Sequence, residues 1–307
     1  MKKRTKVLVL LATYNGELWV TDQINSILTQ KDVDVTLVVS DDRSTDDTVP
    51  TIVRNFGHLP NVVLRTWEEG SGSAGANFRR LFRSTQDASF DYVALADQDD
   101  IWNEKKLASA VAQLQENDAD GYSCTSTAFW ESGKEERLTQ NPLVRKMDFL
   151  FEGAGQGCTF VLTADLFRRV QAFCLTHRDL SEQFHYHDWL IYLLARSWGK
   201  KWYFDVNSWI RYRQHGSNEI GSKGSIGAVA KRLQLIKNGW YRRQIDAAVE
   251  IYLSQTPDVR IRGFMNIFRA KDSVSRRARL AVTSLRDGRR RLADRTILAV
   301  SALAGWI

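Results

Sequence analysis

The stretch YVALADQDD, residues 92–100, places three carboxylates directly after five mostly apolar residues typical of a strand. Along an extended strand successive side chains alternate between faces, so Asp97 and Asp99 project to the same side. Two carboxylates that converge at a strand end form an oxygen-rich site, which suits Mg²⁺ or Mn²⁺. A solvated acidic turn that ends the strand is the alternative, and the motif needs support from its surroundings.

Three earlier apolar runs provide that support, because each is followed at once by a polar or glycine-rich turn. They cover residues 7–12, 35–39 and 62–64, and the segment 20–29 between the first two has the spacing of an amphipathic helix. Strands that alternate with helices predict an α/β sheet. In such sheets ligands bind beyond the carboxyl ends of the strands, which is where the polar motifs fall.

Five motifs follow one another along the N-terminal two thirds of the chain, at residues 12–17, 40–44, 97–100, 187–189 and 212–218. In this order they resemble family 2 glycosyltransferases of the GT-A fold, over about residues 5 to 220. The last two motifs are most similar to bacterial rhamnosyltransferase-like members. The resemblance implies a Rossmann-like mixed sheet flanked by helices.

The resemblance implies that a nucleoside-diphosphate sugar is the donor. Asp42 would accept a hydrogen bond from the N3–H of the base, which uracil and thymine have and cytosine lacks, so a dTDP or UDP sugar is expected. Residues 44–47 also read as the start of a helix with acids in its first turn, and both roles can hold. The residues assigned to the nucleotide are Thr13, Tyr14, Asn15, Glu17, Asp42, Asn77 and Asp97.

By the same resemblance Asp99 is a ligand of Mg²⁺ or Mn²⁺, and His215 is a further ligand brought from far along the chain. Asp97 would contact the ribose, or the metal through water. The metal would neutralise charge on the departing diphosphate. Without the resemblance, His215 reads as an ordinary loop histidine. Residues 216–218 suggest a turn that could close over the donor.

Asp188 is the expected catalytic base, which the resemblance implies deprotonates the acceptor hydroxyl in one in-line, inverting displacement. No covalent nucleophile is required. Trp189 could stack on a sugar, although residues 189–194 also read as a buried helix, in which core packing is the expected role. The residues assigned to the donor or acceptor sugar are Asp100, Trp102, Gly157, Cys158 and Trp189.

The three cysteines of this 307-residue chain show no Cys-x-x-Cys spacing. Free thiols suit a reducing compartment, so we expect the cytoplasm. The apolar run that follows the basic residues 2–4 is too short for a signal peptide and continues into Tyr14 and Asn15. No segment approaches the roughly 20 apolar residues that span a bilayer. The sequence therefore predicts a protein that is soluble or peripheral at the inner face of the membrane.

Charge divides the chain near residue 220. Residues 220–307 carry 18 Lys or Arg against 6 Asp or Glu, whereas the whole chain has a net charge of +7. We expect a catalytic domain over 1–220 and a basic helical region over 221–307 that contacts a membrane surface or a second copy of the chain. No nucleic-acid motif accompanies the charge. The late arginines are Arg276, Arg277, Arg279, Arg289, Arg290 and Arg291.

Together these features predict an inverting, metal-dependent glycosyltransferase of bacterial surface polysaccharide synthesis, with a glycan or lipid-linked acceptor. Rhamnose is the expected sugar by resemblance only. The alternative is a GT-A-fold carbohydrate-binding or scaffold protein without turnover. The presence of Asp42, Asp99, Asp188 and His215 favours the enzyme.

Overall fold

The computed structural model describes residues 4–86, 89–140, 142–215 and 234–307. Within these ranges one mixed sheet has nine strands, in the order β3-β2-β1-β4-β8-β6-β9-β5, with β7 paired to β6. The strands are β1 (Thr5–Thr13), β2 (Val33–Asp41), β3 (Val62–Thr66), β4 (Tyr92–Ala96), β5 (Ile101–Trp102), β6 (Gly121–Phe129), β7 (Glu135–Leu138), β8 (Val161–Thr163) and β9 (Trp202–Arg213).

The first half of the sheet is parallel, as the alternating pattern predicts. β1 pairs in parallel with β2 and β4, and every residue of β1 from Val7 onward is buried. Strands covered on both faces are apolar throughout, which explains the continuous hydrophobic run. The register sets Thr13 opposite Asp41 and Leu11 opposite Ala96, so the ends of three strands meet at one edge.

The second half of the sheet mixes directions: β8 is antiparallel to β4 and β6, while β9 is parallel to β6. Short β5 pairs with the end of β9, Ile101 opposite Arg211. Two 3₁₀ turns lie at Asp148–Leu150 and Gly157–Thr159. The helices up to this point are α1 (Val20–Leu28), α2 (Thr48–Phe56), α3 (Ala74–Ser84), α4 (Lys106–Glu116), α5 (Ala164–Thr176), α6 (Arg178–Glu182) and α7 (His187–Ser197).

The C-terminal region is helical, as predicted. Its apolar side chains, among them Ile245 and Leu280, share a single core with Leu10 and Phe78 of the sheet and α3. The boundary expected near residue 220, and the turn expected at 216–218, lie outside the described residues. Among the described helices none is both long and apolar enough to cross a bilayer. The last helices are α8 (Trp240–Gln255), α9 (Val259–Arg269), α10 (Val274–Asp287) and α11 (Leu292–Leu303).

Two of the late arginines are internal hydrogen-bond donors, which corrects their assignment to a basic surface. Arg290 is 5% exposed and donates to Asp148 at 3.2 Å and to the Gly153 carbonyl at 2.6 Å. Asp148 is fully buried and also accepts from Arg196 at 2.9 Å. Arg276 is 4% exposed and donates to backbone carbonyls. A buried guanidinium needs such partners, and those of Arg290 lie 137 and 142 positions away in sequence.

We expect Asp148→Asn to lower the free energy of unfolding by about 3 kcal/mol, since two guanidiniums then lose their buried carboxylate. Asp246→Asn is the matched control, because Asp246 pairs with Arg269 where both side chains are 41% exposed. The control should cost less than about 1 kcal/mol. Urea unfolding of both variants measures the difference. Equal losses in the two variants would show that Asp148 and its two arginines do not stabilise the fold more than an exposed ion pair does.

Candidate functional site

Gln98 joins the carboxyl end of β4 to the end of β1. Its side-chain oxygen accepts from the Thr13 hydroxyl at 2.6 Å and from the Tyr14 N–H at 2.8 Å, and its nitrogen donates to the Tyr14 carbonyl at 3.0 Å. A Cβ at Gly16 would collide with this amide, so the turn requires glycine there. Gln98 was not among the site residues predicted from the sequence. The only feature of the sequence that marks Gln98 is its position between Asp97 and Asp99, whose side chains point to the other face of the strand.

Asn15 and Glu17 join the same turn to the segment that begins α2. Asn15, at φ 48°, accepts the Thr45 N–H at 2.8 Å, and Glu17 accepts the Asp47 N–H at 2.8 Å. Asparagine adopts positive φ more readily than other non-glycine residues. Tyr14 is 54% exposed at the tip of the turn. Nucleotide contacts by these residues stay predictions.

Asp42 lies at the end of β2 and is held by the glycine-serine loop that follows β3. One carboxylate oxygen accepts the Ser71 N–H at 2.7 Å, the other accepts the Ser71 hydroxyl at 2.8 Å, and Arg80 lies 3.6 Å away. The side chain is only about 6% exposed. Neither Ser71 nor Arg80 was predicted as a partner of Asp42, although the loop stands out in the sequence as a cluster of glycines and serines.

Asn77 lies beneath this pocket, 2% exposed. Its amide nitrogen donates to the Ser40 carbonyl at 2.9 Å and its oxygen accepts from the Ser40 hydroxyl at 2.6 Å. The nitrogen also reaches the Thr13 carbonyl at 3.5 Å. These bonds fasten α3 to the ends of β1 and β2, so the structure gives Asn77 a positioning role. The predicted direct contact with a nucleotide is not available to an amide committed in this way.

Asp99 and His215 are brought together from 116 positions apart, with His215 Nε2 2.7 Å from Asp99 Oδ2. Trp19 stacks on the imidazole at 4.0 Å between ring centroids. Arg213, two positions before His215, donates from its guanidinium to the Asp99 carbonyl at 3.0 Å. This bond ties the backbone of Asp99 to the end of β9. A carboxylate oxygen beside an imidazole nitrogen is a donor pair that suits Mn²⁺.

Asp97, Asp100 and Cys158 form a second cluster, in which the potential ligand atoms lie within 4.8 Å of one another. Burial raises the pKa of Asp100 well above its usual range, and the charges of Asp99 and Asp97 raise it further. One oxygen of Asp100 has no hydrogen-bond partner among the described residues. Carboxylates crowded in this way fit a divalent cation, which would relieve their repulsion.

Cys158 is fully buried, and burial raises the pKa of its thiol well above the ordinary value, with Asp100 and Asp97 adding to the effect. The thiol therefore stays protonated at neutral pH and is not a thiolate ligand. Its predicted contact with a sugar is not available in this structure, because the side chain is covered.

Asp188 lies in the first turn of α7, where the Trp189 N–H donates to its Oδ1 at 2.6 Å. It faces Gly157: a Cβ placed there would lie 3.4 Å from Asp188 Cβ and 2.5 Å from His187 Nε2. Gly157 therefore has to be glycine. Because the next residue, Cys158, lies beside Asp97, this short segment links the expected base to the carboxylate cluster.

His187 is buried beneath this segment and stacks on Phe78 at 3.9 Å between ring centroids. Burial lowers the pKa of His187 to about 3, and the nearby Arg79 contributes in the same direction. Its Nε2 finds no hydrogen-bond partner within the described part of the chain. The imidazole is therefore neutral and shapes the floor of the site.

The two tryptophans assigned to a sugar are both buried. Trp102 is 4% exposed, with the Lys106 ammonium 3.2 Å from its ring centroid. Trp189 is also 4% exposed and donates to the Phe149 carbonyl at 2.7 Å. A ring covered on both faces has none to offer a sugar, so the structure favours core packing. For Trp189 this was the role that the apolar run 189–194 already favoured.

Comparison with known proteins supports one family. A family model described as glycosyl transferase family 2 matches residues 8–184. The chain is 35% identical over 236 residues to dTDP-rhamnosyl transferase RfbG of Shigella flexneri, which covers 76% of this chain and 82% of the relative.

Two solved structures resemble the fold. S. aureus TarS 1-349 in complex with UDP-GlcNAc has a TM-score of 0.58 at 16% identity, covering 98% of this chain and 80% of that one. Mannosyltransferase PcManGT from Pyrobaculum calidifontis in complex with GDP-Man and Mn²⁺ has a TM-score of 0.50 at 15% identity, covering 99% and 86%. The predicted GT-A fold, a mixed sheet with flanking helices, is confirmed.

The buried His187 predicts a specific loss of stability in acid. The unfolded chain protonates histidine near pH 6.5, whereas the folded protein protonates His187 only at about 3. Stability contributed by the neutral ring is complete above about pH 6.5 and falls as the pH drops towards 3. Between pH 7 and pH 5 the wild type should lose roughly 1 to 2 kcal/mol more than His187→Asn.

Urea unfolding at both pH values measures this difference. The exposed His58 supplies the control, and His58→Asn should follow the wild type. A wild type and His187→Asn with parallel pH dependence would show that His187 is not buried in its neutral form.

Proposed function

Because the chain belongs to glycosyl transferase family 2 and is therefore a glycosyltransferase, we propose that it transfers rhamnose from dTDP-rhamnose in bacterial surface polysaccharide synthesis, to a glycan or lipid-linked acceptor. A UDP sugar is the second donor to test. The observation that carries the proposal is the convergence of Asp42, Asp97 and Asp99 at adjacent strand ends, with Asp188 across Gly157. The 35% identity to a dTDP-rhamnosyl transferase supports the choice of donor.

The nucleotide is proposed to lie along the ends of β1, β2 and β4. Asp42 accepts the imide N–H of the base in this proposal, which supports thymine or uracil. The exposed Tyr14 and the hydroxyl of Thr13 border the same edge. Asn15, Glu17 and Asn77 hold that edge in shape through the hydrogen bonds described above.

We propose that Asp99 and His215 hold Mg²⁺ or Mn²⁺, with Asp97 and Asp100 close by. The bound cation would supply charge neutralisation for the departing diphosphate. Arg213 holds the Asp99 backbone in place and pairs with Asp22 at 3.4 Å, so this end of β9 is fixed before any ligand arrives.

Asp188 is proposed to take the proton of the acceptor hydroxyl. As that oxygen bonds to the anomeric carbon, the bond from this carbon to the diphosphate oxygen breaks, and the carbon inverts. The neutral His187 beneath it carries no charge that would weaken the base, and Gly157 lets the segment before Cys158 pack directly on His187 and Asp188. A positioned general base typically contributes about a hundredfold or more to the rate.

We expect Asp188→Asn to lower the rate of dTDP release from dTDP-rhamnose about a hundredfold or more, with dTDP affinity changed by less than about twofold. A lipid extract of bacterial membranes supplies the acceptor, and chromatography measures the nucleotide. Asp32→Asn is the control, because Asp32 is exposed just before the amino end of β2, at the opposite edge of the sheet.

Retained transfer in Asp188→Asn would remove Asp188 as the base. A wild type that binds dTDP-rhamnose and UDP sugars without turnover of either would favour the scaffold alternative. Loss of dTDP binding along with transfer would show that Asp188 supports the fold of the site instead.

We further propose that α10 and α11 contact the membrane surface. The two helices pack together and leave large apolar side chains exposed, and exposed arginines accompany them. Arginine beside exposed leucine and valine suits an anionic bilayer surface. The exposed apolar residues are Val282 at 59%, Leu285 at 42%, Leu292 at 66%, Ile297 at 39%, Val300 at 56% and Leu303 at 55%.

The double variant Leu292→Asp/Val300→Asp should lose most of its binding to phosphatidylglycerol vesicles in a sedimentation assay, since buried apolar area drives such contacts. Val259→Asp is the control, because Val259 is 87% exposed on a different helix. A wild type that ignores vesicles but dimerises through these side chains, as light scattering would show, would assign the face to a second copy of the chain.

A further inference from the structure

A cleft with a volume of about 630 Å³ lies beside the proposed active site, between α3, α6 and the start of α8. Its walls are polar, and basic side chains dominate them. The lining residues include five arginines and a single carboxylate: Arg79, Arg80, Arg83, Arg178, Arg243 and Glu182.

The positive charge of this cleft is only partly neutralised. Glu182 serves two of the arginines at once, Arg178 at 2.8 Å and Arg83 at 3.5 Å. Arg80 lies 3.6 Å from Asp42 and belongs to the donor side. Burial lowers the pKa of Arg83, and the charge of Arg178 lowers it further. The cleft therefore has an excess of positive charge.

Two of the guanidiniums also have unused hydrogen-bond donors. Arg79 is 5% exposed and fixed by a bond from Nη1 to the Phe184 carbonyl at 2.7 Å, yet its Nε has no partner within the described ranges. Arg83 Nη1 is likewise buried and without a partner there. Both atoms are covered, so a ligand would meet the outer atoms of these side chains; the unpartnered donors show that the acceptors nearby do not suffice for the guanidiniums of this wall.

The cleft adjoins both halves of the active site. His185, in its wall, lies three positions before Asp188, and the backbone there packs so tightly on α3 that a Cβ at Gly75 would strike the His185 carbonyl. Ser71, in the opposite wall, holds Asp42. A molecule whose hydroxyl reaches Asp188 from this side would leave its neighbouring groups among the arginines.

We propose that this cleft binds a phosphate or diphosphate group of the acceptor, so that the acceptor is a phosphate-bearing molecule and not a neutral glycan. The inference rests on the proposed function, because it takes Asp188 as the point that the acceptor hydroxyl reaches. Guanidinium groups bind phosphate oxygens through paired, charge-assisted hydrogen bonds, and a neutral sugar would leave these arginines uncompensated. Arg83, Arg178 and Arg243 are the proposed contacts.

Calorimetric titration with inorganic pyrophosphate, in EDTA, tests the cleft without using catalysis. EDTA removes metal from the carboxylates, which would otherwise attract the probe. The wild type should bind, and Arg83→Gln/Arg178→Gln should bind at least about tenfold more weakly, since each lost charge-assisted bond contributes measurably. Arg243→Gln tests the same wall from another helix. Arg262→Gln is the matched control, an exposed arginine of α9 outside the cleft.

Binding of dTDP with Mn²⁺ should be unchanged in the cleft variants. Undiminished pyrophosphate binding in both cleft variants would overturn the proposal, as would a loss of dTDP binding that matches the loss of pyrophosphate binding, because the cleft would then serve the donor. A wild type that binds pyrophosphate but no nucleotide would remove the proposed function while leaving an anion site in the cleft.

Vesicle binding distinguishes a lipid-linked diphosphate from a general anionic lipid surface as the ligand of this cleft. Vesicles of an uncharged phospholipid that contain a polyprenyl diphosphate should retain the wild type better than vesicles in which phosphatidylglycerol carries the same total charge. Free pyrophosphate should compete for the first kind of vesicle. The Arg83→Gln/Arg178→Gln variant should lose the preference for the diphosphate vesicles. Equal retention by both vesicles would overturn the proposal in favour of a general anionic surface.

Discussion

Three carboxylates crowd the end of β4, and the protein has to hold them there in the folded state. Asp100 is fully buried and Asp99 nearly so, at 8% exposure. The residues that follow at once, Ile101–Trp102, form β5 and pair with the end of β9. That pairing brings the Arg213 guanidinium to the Asp99 carbonyl, the Arg213 N–H to the Asp100 carboxylate, and His215 to the Asp99 side chain. The second half of the sheet therefore supplies the hydrogen-bond donors that partner the carboxylates at the end of the first half.

The first half of the sheet could be predicted from the sequence, because parallel strands covered on both faces are apolar throughout and end in polar turns. The five ordered motifs added the family. What the sequence could not provide were partners set by three-dimensional packing. Ser71 and Arg80 reach Asp42 from a loop and a helix 29 and more positions away, and nothing in their spacing marks them.

The burial of individual side chains also could not be predicted from the sequence. Trp102 reads as a sugar platform beside a carboxylate cluster, yet the strand pairing of β5 turns it inward, over the ammonium of Lys106. Burial lowers the pKa of Lys106 to about 8. In the C-terminal region, charge counting overstated the basic surface, because Arg276 and Arg290 are internal donors. Their partners depend on how α8 to α11 pack against the sheet, which shares its core with them.

The central claim is that adjacent strand ends form one nucleotide and metal site. Calorimetric titration of dTDP and UDP into the protein, with and without Mn²⁺, tests it most directly, with Asp99→Ala alongside. The account predicts that at least one of the two nucleotides binds, that Mn²⁺ strengthens its binding, and that Asp99→Ala abolishes the metal effect. A folded protein that binds neither nucleotide in Mn²⁺, or binds one equally well in the Asp99→Ala variant, would contradict the account.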